Sequence, residues 1–114
     1  MITLVLYSCT TTSYNLKQEL SNLEKCKEIE PFFTKSRPCI KQSVISSQVL
    51  YPDLVLKMNE LVDILEQRVN ENKIKNQMAW LLLEENLVVA TNASSEKSVN
   101  DAINKINNFL TTLY

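Results

Sequence analysis

The chain has 114 residues with 45% hydrophobic and 22% charged side chains, the composition of one globular domain. A net charge of −1 gives no global field toward nucleic acid or an anionic membrane. Histidine and glycine are both absent, which excludes Ser-His-Asp triads, Cys-His pairs, histidine-bearing zinc sites, Walker loops and Rossmann fingerprints.

In chain order, Ile2 to Tyr7 is a continuous apolar, β-branched run, the pattern of a strand buried on both faces. The polar run Ser8-Cys9-Thr10-Thr11-Thr12-Ser13 follows, with hydroxyls suited to cap a helix N-terminus. Leu16, Leu20 and Leu23 then recur at helical spacing, predicting an amphipathic helix that ends near Lys27. Ile29 to Thr34 reads as a second strand, with Pro31 at its start or on a sheet edge. Lys35 to Cys39 reads as a basic turn, and Ile40 to Tyr51 is compatible with a short helix or extended chain.

Pro52 opens a long helix whose face carries Leu54, Met58, Leu61 and Leu65, running to about Asn72. Its surplus of apolar residues suits either the core or a partner helix. Met78 to Leu83 and Leu87 to Ala90 are apolar runs around Glu84-Glu85-Asn86, which predicts an antiparallel hairpin. Ser94-Ser95-Glu96 opens a last helix with Val99, Ala102, Ile103, Ile106, Phe109, Leu110 and Leu113 on its apolar stripe. No run approaches the ~20 apolar residues of a membrane span.

Strand, helix, strand, helices, hairpin, helix is an α/β order. It predicts a single domain over residues 1–114 with a mixed sheet covered by helices. The segments MITLVLYSCTTTSYNLKQEL, KNQMAWLLLEENLVVATN and SVNDAINKINNFL resemble, in layout, the Spx and arsenate-reductase-like family of thioredoxin-fold proteins. The resemblance implies a βαβ…ββα thioredoxin-like fold with a redox cysteine at Cys9. Thr12 stands where that family has its second cysteine. Asn76, Gln77 and Met78 stand near its cis-proline, and Lys73 and Lys75 near its oxyanion-binding arginines.

Cys9 is the residue singled out for chemistry. A thiol at a helix N-terminus is held toward thiolate, and Thr10, Thr11 and Thr12 with the first helix amides suit an anion. The bland alternative is a small residue closing a strand-to-helix turn. Three widely spaced cysteines, Cys9, Cys26 and Cys39, do not read as a disulfide framework, so reduced thiols in a cytoplasmic compartment are expected. Cys26 reads as core and Cys39 as a packed loop thiol. Lys35, Arg37 and Lys41 form a basic cluster fit for solvent or a phosphate, and Glu84 and Glu85 read as turn residues.

Leu6-Tyr7-Ser8-Cys9 also loosely resembles a lipoprotein cleavage box, although no Lys or Arg precedes it and the apolar run is short. Three functions follow as expectations. The first is a non-enzymatic protein-interaction or regulatory domain on a degenerate thioredoxin-like fold. The second is a monothiol redox protein using Cys9, and the third a lipid-anchored surface protein modified at Cys9. No metal or cofactor is expected. A protein partner is, with a second copy of the chain as one form of it.

Overall fold

The computed structural model describes residues 17–45 and 50–114. Among them it contains five helices and no strand: α1 over 17–29, α2 Phe33–Ser43, α3 Pro52–Asn70, α4 Asn76–Thr91 and α5 Glu96–Leu113. The α/β class, with its mixed sheet and thioredoxin-like layout, is therefore overturned. The run Ile2–Tyr7 lies outside the described residues, and the other three expected strands are absent.

The expected hairpin is the single helix α4. Ala, Leu, Met, Glu and Gln supply most of its first ten positions, and all are strong helix formers. Asn86, expected at the tip of a turn, is buried in mid-helix and donates from its side-chain amide to the Leu82 carbonyl at 2.8 Å. The expected strand 29–34 is split between the end of α1, a three-residue linker and the start of α2. Ile29 and Phe32 are exposed there, while Phe33 is fully buried. The basic turn expected at 35–39 lies inside α2, which accommodates Pro38 at the loss of one backbone hydrogen bond.

The helices that keep one apolar face are those the 3.6-residue period identifies. In α3, Pro52 occupies the first turn, and Leu54, Met58, Leu61 and Leu65 are fully buried. In α5, Ser95 and Ser98 form a reciprocal capping box, and Val99, Ala102, Ile106 and Leu110 face inward. The end of α3 shows how a chain without glycine stops a helix. Asn72 takes the left-handed conformation at φ 59°. The amides of Asn72 and Lys73 then close on the carbonyls of Val69 and Arg68, satisfying two of the orphan acceptors at the helix end.

α3 packs against α2, α4 and α5, and α4 touches α2 and α5 as well. This central position buries most of the apolar residues of α3, Val62 and Ile64 included, while Leu56 stays 70% exposed. Arg68, almost wholly buried, clasps the far end of α5: its Nε donates to the Leu113 carbonyl and its Nη1 to Glu71.

α1 is held by three ties. Cys26 and Cys39 form a disulfide to α2, with Cα atoms 5.7 Å apart. Asn22 donates to the Ser43 carbonyl at 3.1 Å. The turn after α1 is pinned to α4, because the Pro31 carbonyl accepts from Asn76 Nδ2 at 2.7 Å and Trp80 Nε1 at 2.9 Å. Asn76 Oδ1 also accepts the Phe33 amide at 2.6 Å, and the Phe33 and Trp80 rings meet edge to face with centroids 5.2 Å apart.

Candidate functional site

The residues expected to carry chemistry, Cys9 with Thr10, Thr11 and Thr12, lie outside the described residues. The other two cysteines do not match the expectation of reduced thiols. Cys26, on the inward face of α1, and Cys39, half-buried on α2, are joined to each other. The parity of three cysteines argued against a bridge, but α1 and α2 fold back on one another. Their 13-residue separation is thereby spanned by a helix-turn-helix hairpin.

The basic cluster is dispersed by pairing. Arg37 meets Asp63 at 2.8 Å and Glu66 at 3.5 Å, and Lys41 meets the same Asp63 oxygen at 3.0 Å. Lys35 instead lies 5.5 Å over the Phe32 ring. Two of the three cations thus stitch α2 to α3 and are not converged on a vacant anion site. These pairs are largely solvent-facing, so their contribution is modest.

Glu19 is a group that no sequence signal marks. It sits on α1 only 2% exposed, and its Oε2 is buried with no hydrogen-bond partner among the described residues. Desolvation pushes its carboxyl up from 4.5 to about 7. Its place among Leu20 and Leu23 on the inner side of α1 shows only once the helix is docked.

The most unusual surface belongs to α4. Ala79, Trp80, Leu83, Asn86, Leu87 and Ala90 form its buried face. The opposite, open face is mixed: Gln77, Glu84 and Glu85 are exposed on it together with Met78, 45% exposed, and Leu81, 47% exposed, and Val88 and Val89 are half-buried beyond them. Glu84 and Glu85, expected in a turn, are exposed on that open side and are the helix's only charges.

Two recesses flank the open face. One of about 90 Å³ lies between α1 and α4, lined by Leu23, Lys27, Trp80, Leu81 and Glu84 among others. The other, about 250 Å³, lies between α4 and α5 and includes Val88, Val89, Asp101 and Lys105. Both recesses mix apolar and charged lining residues.

Among the described residues no group of three or more Cys, Asp or Glu is placed to hold a metal ion. No described helix is long and apolar enough to cross a membrane. Compared with known proteins, the chain matches no protein-family model, no curated protein and no solved structure. Nothing in these comparisons bears on the likeness to the Spx family.

Proposed function

We propose that the chain is a protein-interaction domain: a disulfide-tied helical scaffold that presents the open side of α4 to a protein partner in an oxidising compartment. The observation that carries the reading is the pair of large apolar side chains on the outer face of α4, Met78 and Leu81, each nearly half exposed. Such exposure has a cost in water that a partner removes. The Cys26–Cys39 bond supports an oxidising compartment, since such bridges persist outside the reducing cytosol. This reading replaces the expectation of a cytoplasmic protein.

A photo-crosslinking residue placed at Leu81 in the native host tests it. Discrete adducts are expected from position 81, and none from exposed Asn104 on α5. Silence at 81, or the same adducts from both positions, rejects the interaction reading.

The disulfide also favours a second reading, attachment to a membrane through a lipid on Cys9. With Cys26 and Cys39 bonded to each other, Cys9 is the one cysteine outside that bridge, and the resemblance of Leu6-Tyr7-Ser8-Cys9 to a lipoprotein cleavage box fits an oxidising compartment. A mass spectrum of the native N-terminus decides: a diacylglyceryl group on an N-terminal Cys9 supports the anchor, and an intact Met1 excludes it.

A further inference from the structure

α1 is the element that the rest of the core needs least. Of the buried apolar side chains among the described residues it supplies only Leu23 and Cys26. Its outer face, with Lys17, Glu24, Lys25, Lys27 and Glu28 exposed, is polar and needs no cover. Among the described residues no ion pair joins α1 to another element. Its inner side carries Glu19, whose Oε2 is buried without a partner among the described residues. Burying such a group opposes the docking of the helix.

The chain just beyond α1 is fixed. Ser36 Oγ of α2 donates to the Glu30 carbonyl, and Asn76 and Trp80 of α4 hold the Pro31 carbonyl. α1 therefore has an anchored pivot at its C-terminal end, and the Cys26–Cys39 bond lies about one helical turn before it. Further along, the one hydrogen bond among the described residues that ties α1 down, Asn22 to the Ser43 carbonyl, is exposed to water. The two sulfurs differ in access, Cys26 being fully buried and Cys39 half-buried. A thiolate from solvent reaches Cys39 Sγ first, forms a mixed disulfide there and expels Cys26 as a thiolate, which takes up a proton. Where the reductant is a dithiol, its second thiol then displaces Cys39. The reductant leaves as a disulfide and both cysteines end as thiols, two electrons having passed to the protein.

From this arrangement we infer that the Cys26–Cys39 bond is a redox latch. With the bond closed, α1 lies against α2 and α4. With it reduced by a dithiol, α1 swings away about residues 29–31 while α2, α3, α4 and α5 keep their shared core. Release uncovers Trp80, which borders Leu23 in the recess between α1 and α4, so the oxidised and reduced chains present different surfaces. The inference stands apart from the interaction reading, because it concerns α1 and holds whatever α4 meets.

The test is hydrogen exchange read by mass spectrometry on the full chain, oxidised and after dithiothreitol at neutral pH. Reduction is expected to speed exchange in α1 by on the order of a hundredfold, the factor that closing a loop of this size supplies. In the reduced chain α3 and α5 are expected to stay far slower than α1. Cys26→Ser with Cys39→Ser is expected to match the reduced chain without any reductant. Glu19→Leu, which removes the buried carboxylate, is expected to return most of the α1 protection to the reduced chain. The inference fails if α1 stays protected after reduction, or if α3 and α5 come to exchange as fast as α1. It fails too if the bond resists dithiothreitol until the chain is unfolded, or if Glu19→Leu leaves the reduced α1 as open as before.

Discussion

At the scale of single residues, Glu19 makes the sharpest prediction. Its carboxyl is raised from 4.5 to about 7 by burial, so the folded state favours the protonated form. The associated stability is fully present below the unfolded value and is lost as pH rises through the folded one. The loss is on the order of 3 kcal/mol, since one pKa unit is worth about 1.4 kcal/mol. Glu19→Gln keeps the shape and removes the charge. Urea unfolding should show wild type weakening between pH 4.5 and about 7, and the variant nearly flat across that window. Wild-type stability that is constant or rising there contradicts the assignment. Nothing in the spacing of Leu16, Leu20 and Leu23 marks Glu19 as buried. A charged residue one position before an apolar one reads as helix flank until tertiary packing covers it.

Between elements, the joint that decides how α1 and α2 sit on α4 is Asn76. Its side-chain amide accepts from the Phe33 amide and donates to the Pro31 carbonyl, so it pins the α1–α2 connection to the start of α4. Asn76→Ala leaves the Phe33 amide without that partner and should cost about 1–3 kcal/mol. Hydrogen exchange should quicken at Phe33 and the first turn of α2 while α5 is unaffected. Uniform quickening, or none, counts against this role. The elements also show what the sequence could convey. α3 and α5 were legible because one face of each is polar, and α5 announces its start with Ser95. α4 was not, because two apolar runs around Glu84-Glu85-Asn86 fit a hairpin as well as a helix buried on one side and open on the other. α2 was hidden by Pro38 and by polar residues at most of its positions, a composition that reads as turn. The feature that concealed α4's secondary structure, apolar residues on its outer as well as its inner side, is the same one that makes it the candidate interface.

For the whole molecule, the Cys26–Cys39 bridge matters most, because α1 shares only part of the core and is otherwise held by a few hydrogen bonds. Closing a loop of this size contributes about 3 kcal/mol in the chain-entropy account. Adding a dithiol reductant, or making Cys26→Ser with Cys39→Ser, should lower the unfolding midpoint by on the order of 10 °C. An unchanged midpoint in both experiments would show that the bridge adds nothing. The bridge was unreadable from cysteine count alone: an odd number suggested free thiols, and the two partners were assigned to different kinds of element. Only the α1–α2 hairpin brings them together.

Trp80 is the chain's single tryptophan, and its indole nitrogen is bound to the Pro31 carbonyl with Phe33 edge-on to its ring. The protein therefore carries a built-in optical gauge at the meeting point of three helices. Any event that lifts the first two helices from the fourth wets that indole and shifts its emission to longer wavelength. The loosening of this corner can thus be followed by fluorescence, without a label, during reduction, acid titration or partner binding.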